Sequence, residues 1–573
     1  MPFGLFCESL SDLDGMLPFH MAISFVKGMT MKLDTLPLVA SLLGTVGAFD
    51  CSPASFQSIL PSNASVTFAY PIAQGNSFQV PVSDIAYPTS PTGLRAACAI
   101  QVKVPSSATS AYSFGLFLPE DWNGRYLAVG NGGFAGGINW LDMGAGLGYG
   151  FAVMSTDTGH NSTSGDGTWA TNPEEVIDWG YRAMHGSIVL SKAVTESYYG
   201  CNISYSYYSG CSTGGRQGLK ELQLHPETFD GVVAGAPAWW TDHLQPWTVK
   251  VSSYNLPVTA AYHIPPSLFP IIEAEVLRQC DPQDGLVDTI ISDPDACDFL
   301  PETLLCGPGV TNQTAAKCLT SPQISTLYNI WQDYVDVNQT FVFPAISKGA
   351  ESLWPVLLGG SEPASLGVQY PQYFLGLGAN WTYHDFDYAT VQLADKLDPG
   401  NATAGDFDLE PFMKRGGKLL HYHGYADALI ATHSSLYYYR HVLRTLVPRG
   451  IDVSDFYRFF LVPGMGHCTG TSTMSNAPWY FAGPNQAGSI STSLHSVPGF
   501  SDARHDVLLA LMAWVEHGTA PESIVATKWR NDTLQDRVLR QRTLCVYPKR
   551  AVYRGRGDVD EASSWVCEFP YKV

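Results

Sequence analysis

The sequence predicts an α/β fold, one layered core interrupted by a large insertion, and three observations predict it. Short apolar strands alternate with glycine turns and amphipathic helices from Phe114 to about Trp239. The texture then changes to Pro-, Asp- and Cys-rich connections with short helices as far as Phe412, and strand-like texture returns at Lys418–Tyr422 and Arg458–Val462. The interruption therefore divides one core rather than separating two, giving a core of residues 49–239 and 413–573 around an insertion of residues 240–412.

Each element has its own signal. Tyr126–Val129, Gly150–Met154 and Tyr205–Ser209 are apolar runs of strand length, and Val176–Tyr198 carries apolar residues at helical spacing before stopping at Gly200. The chain of 573 residues is 45% hydrophobic and 15% charged, which supports a buried core and excludes a disordered chain. A formal net charge of -20 with no basic patch argues against a nucleic-acid partner and against an anionic membrane surface.

Residues 1–48 read as a presequence, with a signal peptide at 31–48. Leu36–Ala48 is an apolar run closing on the small residues Val46 and Ala48, too short to span a bilayer, with cleavage expected after Ala48. Asn-x-Ser/Thr acceptors at Asn63, Asn161, Asn202, Asn312, Asn338, Asn380, Asn401 and Asn531 point to the same secreted, extracellular destination. Short-range cysteine pairs, Cys280 with Cys297, Cys306 with Cys318 and Cys545 with Cys567, read as disulfides of an oxidising compartment. Cys51 and Cys98 are assigned to the bonded set as well, and Cys201 is the expected leftover once Cys7 departs with the presequence.

Chemistry concentrates at Gly210-Cys-Ser-Thr-Gly214, a G-x-S-x-G pattern with a strand before it and a helix after it. A nucleophile elbow needs that context, because a sharp strained turn lifts the serine Oγ above the sheet and tolerates only small flanking residues. This makes the expected fold an α/β-hydrolase fold with a large inserted lid domain, and Ser212 the candidate nucleophile. A serine hydroxyl needs a base and an orienting acid, which on this fold follow in the order Ser, Asp, His. Leu419–Gly424 runs into a loop holding Asp427, and Phe459–Val462 runs into Pro463-Gly-Met-Gly-His467-Cys468, so Asp427 and His467 each sit just past a strand. Asp385 and Asp387 lack a preceding strand, while His421 and His423 fall inside one and read as satisfied core histidines. Cys211 beside Ser212 and Cys468 beside His467 could be joined, and such a bond would bring both catalytic loops within reach of each other.

These motifs, with Gly130-Asn-Gly-Gly-Phe134, Ser155–His160, Val176–Arg182, Gly210–Gly218, Gly417–Gly424 and Gly464–Cys468, resemble the tannase and feruloyl esterase family across most of the mature chain. The resemblance implies a Ser212, Asp427, His467 triad and a bond between Cys211 and Cys468. The oxyanion hole is expected from the backbone N–H of Thr213 and one from the Gly130–Phe134 loop, at Gly132 or Gly133. That loop also matches a dinucleotide fingerprint, but the glycines from Gly136 to Gly150 would spoil the helix such a loop must open, so no organic cofactor is expected. In the lid, Asp281, Asp284 and Asp288 surround a turn glycine, and hard oxygens in a loop suit Ca²⁺. By resemblance, the carbonyls of Leu286 and Ile290 complete a structural calcium site. The expected function is a secreted serine carboxylic ester hydrolase acting on small phenolic acid esters or esterified polysaccharide, feruloyl esters ahead of galloyl esters. Trp239, Trp240, Trp247, Tyr373 and Trp381 offer aromatic bulk in or beside the lid. An alternative of another class is an inactive extracellular binding module on the same fold, against which the intact triad argues.

Overall fold

The computed structural model describes residues 49–570; the presequence expected at 1–48 lies outside the described residues. Nine strands build one sheet: β1 (Ser65–Ile72), β2 (Ala97–Pro105), β3 (Ala111–Pro119), β4 (Arg125–Val129), β5 (Ala152–Thr156), β6 (Tyr205–Cys211) and β7 (Gly231–Gly235) in the first half of the chain. A small hairpin, β8 (Tyr334–Asp336) with β9 (Thr340–Phe343), lies in the insertion, and β10 (Lys418–Gly424) and β11 (Tyr457–Val462) complete the sheet. The order is β1-β2-β3-β5-β4-β6-β7-β10-β11. The first three strands join antiparallel, β3 pairs antiparallel with β5, and the rest run parallel.

Parallel strands must be covered on both faces, and alternate residues supply the two covers. Tyr126, Ala128, Tyr208, Val232 and Leu419 pack with helices Ala183–Tyr199 and His433–Leu446 on one face. Leu127, Val129, Tyr207, Val233 and Leu420 pack with helices Trp140–Gly148 and Val507–His517 on the other. The α/β-hydrolase expectation therefore holds at the level of sheet and layers, and no helix among the described residues is long and apolar enough to cross a membrane.

β7 and β10 are hydrogen-bonded neighbours, so residues 236–417 leave the sheet and return to it. This segment has its own apolar core, with Leu244, Trp247, Ile264, Phe269, Leu327 and Trp354 at its centre. Arg216 ties the insertion to the sheet's helices: its buried guanidinium donates to the carbonyls of Gly180, Trp179 and Ala402 and lies over the Trp179 ring at 4.3 Å.

Two expected boundaries shift. Gly150 belongs to the turn before β5, at φ 86°, and the strand begins at Ala152. The helix expected over Val176–Tyr198 spans Pro173–Tyr199 with a π-helical segment at Asp178–Arg182. Buried Asp178 there accepts from Ser106, Ser110 and Arg182, and a Cβ on Gly180 would lie 2.0 Å from the Gly400 carbonyl oxygen. Side-chain bonding and close backbone approach, invisible to periodicity, set the local winding. Cys201 is also corrected: it is disulfide-bonded rather than left over.

Candidate active site

β6 ends at Cys211, and Ser212 adopts φ 63° and ψ −126° before helix Thr213–Leu224 begins. A side chain at positive φ is strained, so neighbours must hold it. Ser212 donates its N–H to Gly235 O at 3.0 Å, and its carbonyl accepts from Arg216 and Ala238. The flanking glycines are required by space. A Cβ on Gly210 would meet Gly214 O at 2.5 Å, and one on Gly215 would meet Gly235 O at 2.5 Å.

Asp427, fully buried after β10, accepts from His467 Nδ1 at 2.7 Å. The same oxygen accepts from His423 Nε2 at 3.0 Å, while the other accepts the N–H groups of Leu429 and Ile430, each at 2.8 Å. Burial alone would favour the neutral acid; the His467 charge and hydrogen bonds from His423 and His467 outweigh it and hold the carboxyl below the ordinary range. His467 Nε2 and Ser212 Oγ have no hydrogen-bond partner among the described residues, so each is available to the other or to a substrate. Such catalytic contacts often tighten only when substrate binds.

The histidines that the sequence assigns to core do more than fill space. Tyr457 Oη meets His421 Nδ1 at 2.6 Å, His421 Nε2 meets Ser435 Oγ at 2.8 Å, and Ser435 Oγ meets His423 Nδ1 at 2.7 Å. A buried hydrogen-bonded chain thus runs from Tyr457 to Asp427. Burial, reinforced by His423, holds His421 well below the ordinary histidine range, so it stays neutral. The signal was present as His-x-His in one strand, which puts both rings on one face.

The Cys211–Cys468 disulfide joins the loop of Ser212 to the loop of His467, with Cα atoms 6.0 Å apart. The other expected pairs, Cys51–Cys98, Cys280–Cys297, Cys306–Cys318 and Cys545–Cys567, are bonded as well. Of the oxyanion candidates, Gly132 donates its N–H to Tyr87 Oη at 2.7 Å. The N–H groups of Thr213 and Gly133 have no acceptor among the described residues, and Thr213 Oγ1 donates to Gly133 O at 3.0 Å, which ties the two segments together.

In the insertion, Asp281 accepts the N–H groups of Asp288 and Thr289, Asp284 accepts that of Leu286, and Gly285 turns the loop at φ 90°. Asp288 is paired with buried Arg542, leaving a net charge of −2 on the three carboxylates and one guanidinium. Burial first, and the neighbouring carboxylates after it, raise Asp281 and Asp284 above the ordinary aspartate range. The carbonyl oxygens of Leu286 and buried Ile290 accept no hydrogen bond among the described residues. Crowded hard oxygens with two uncompensated charges fit a divalent hard cation. Of the aromatic candidates, Trp239, Trp247 and Trp381 are buried in packing, whereas Trp240 and Tyr373 are only half-buried.

The model of the family described as Tannase and feruloyl esterase matches residues 97–346 and 379–568. A protein named probable feruloyl esterase B-2, from Neosartorya fischeri, is 34% identical over 541 residues, 94% of this chain and 99% of that one. Among solved structures, an esterase from Aspergillus oryzae superposes with a TM-score of 0.82 at 34% identity, covering 90% of this chain and 99% of its own. Feruloyl esterase B from the same organism gives 0.81 at 33%, with the same coverage. Similarity of this extent, over the segments that carry Ser212, Asp427 and His467, places the chain in the tannase and feruloyl esterase family of carboxylic ester hydrolases.

Proposed function

We propose that the chain hydrolyses hydroxycinnamoyl esters of plant cell-wall material through Ser212, His467 and Asp427. The observation that carries this is the joining of the two catalytic loops by Cys211–Cys468, with His467 already oriented by Asp427. His467 Nε2 takes the Ser212 proton as Oγ attacks the ester carbonyl, and Asp427 stabilises the imidazolium. The N–H groups of Thr213 and Gly133, unoccupied among the described residues, would stabilise the charge that develops on the carbonyl oxygen. His467 then protonates the leaving alcohol, and water activated by the same nitrogen releases the acid. The hydroxycinnamoyl preference is supported by the chain's similarity to the probable feruloyl esterase B-2 of Neosartorya fischeri and to feruloyl esterase B of Aspergillus oryzae, at 34% and 33% identity.

Reaction with a serine-directed fluorophosphonate, lost in Ser212→Ala together with turnover, is the expected result; an active Ser212→Ala enzyme would refute the triad. Initial rates on methyl ferulate, methyl caffeate and methyl gallate should favour the hydroxycinnamates, and preference for gallate would move the assignment to tannase. Secretion and glycosylation belong to the same reading, supported by the disulfides and by the exposure of all eight sequon asparagines. Calcium at Asp281, Asp284, Asp288 and the Leu286 and Ile290 carbonyls would be structural, since none of these groups takes part in a step of the reaction.

A further inference from the structure

Two helices behind the nucleophile carry a cluster that ester hydrolysis does not use. His185 lies on helix Ala183–Tyr199, Glu221 on helix Thr213–Leu224, and His225 caps the C-terminal end of the latter. Glu221 and His225 are four residues apart and so share a face. A ligand atom from each of the three side chains lies within 4.8 Å of the other two. His185 Nδ1 is 2.8 Å from Glu221 Oε1, and the His185 and His225 rings stack with centroids 3.5 Å apart.

Glu221 is 3% exposed, and its ion-pair partner among the described residues is His185 alone, with no lysine or arginine. A buried carboxylate that keeps its charge is paired with a cation or coordinates a metal. Both histidines are half-buried, so the cluster is open to solvent on one side and closed on the other.

We propose that His185, Glu221 and His225 form a site for a borderline divalent transition ion, Zn²⁺ foremost, with water as the remaining ligand. Two imidazoles and one carboxylate suit such ions, whereas calcium prefers the all-oxygen loop of the insertion. A tetrahedral ion with bonds of about 2.0–2.1 Å holds its ligands roughly 3.3 Å apart, so ligand atoms now within 4.8 Å of one another must draw together, and the rings leave their stack, to close the site. Glu221 lies nine residues beyond Ser212 along one helix, about 13 Å away, so the ion touches no reacting atom. It cross-ties the two helices, one of which presents Ser212 and Thr213 at its start. Bound ion should therefore stabilise the fold by mass action and leave kcat nearly unchanged.

The test is calorimetric titration of Zn²⁺ into the full chain in calcium-containing buffer, paired with thermal unfolding. One equivalent should bind the wild type and raise Tm, and His225→Ala and Glu221→Gln should each lower affinity at least about tenfold and remove the Tm increment. His225 is half-buried, so its variant remains informative if Glu221→Gln does not fold. Absence of saturable binding to the wild type, or unchanged affinity in His225→Ala, would overturn the proposal.

Discussion

Asp427 holds two histidines on one carboxylate oxygen, which makes His423 a positioning residue rather than packing. Its Nε2–H fixes the oxygen that orients His467, and the Ser435–His421–Tyr457 chain fixes His423 in turn. His423→Ala should therefore lower kcat by about 10–100-fold with little change in KM, since misplacement of a catalytic group by about 1 Å has a cost of that order. A pH readout separates this from mere loosening. Asp427 is depressed in the fold, so its stabilising contribution is present above the unfolded value of about 3.9 and lost as pH falls through the folded value. Without His423 the folded value rises, so the stabilisation is smaller and fully lost at higher pH, visible as an earlier acid unfolding midpoint; an unmoved midpoint with unchanged kcat would contradict the role. Ser212, Asp427 and His467 stood out in the sequence because each follows a strand with its own glycine signature, and the fold brings Asp427 and His467 into hydrogen-bond contact. The His423 contact was not, because it depends on how the Gly424–Ile430 loop folds back over β10.

At the scale of elements, β4, β5, β6, β10, β11 and the helix after Val176 were legible from period and glycine punctuation, and their shifted boundaries came from contacts. The π-helical segment at Asp178–Arg182 answers to Ser106, Ser110 and Gly400, which lie far away in sequence. The Cys211–Cys468 bond was legible because each cysteine adjoins a catalytic residue. Its removal in the double variant Cys211→Ala with Cys468→Ala should cost most of the activity while far-ultraviolet circular dichroism remains folded. The loop it closes spans 257 positions, for which chain-entropy models give on the order of 5 kcal/mol. Equal activity of the two forms would show that the tether is dispensable. The acidic loop proposed to hold calcium is clamped from the C-terminal side by Arg542 on Asp288 and by Arg550 on Asp293. Chelation should lower Tm, and Asp284→Ala should lower Tm more than it lowers turnover at low temperature; an unmoved wild-type melting curve after exhaustive chelation would remove the metal.

For the whole molecule, the insertion's apolar core includes Ala426, Ala428, Ile430 and Ala431, the residues flanking Asp427. Loosening the insertion thus reaches the triad acid directly, a coupling that composition could not reveal although the insertion itself was legible in its texture. One contribution to its pH response comes from Glu351, fully buried and pushed up to about 8 by burial first and Glu273 second. The fold binds a proton there that the unfolded chain releases near pH 4.5, so stability falls as pH rises from about 5 to 8. Glu351→Gln should flatten that decline and raise Tm at pH 8 by a few degrees, with little effect at pH 5; equal wild-type and variant curves at pH 8 would refute it. The clasp between the catalytic loops has one more result, seen on a gel. A protease that clips the exposed insertion separates a fragment bearing Ser212 from one bearing Asp427 and His467, yet Cys211–Cys468 keeps them as one particle. Clipped enzyme should migrate as a single band without reductant, split in two with it, and retain its nucleophile and base on opposite sides of the cut.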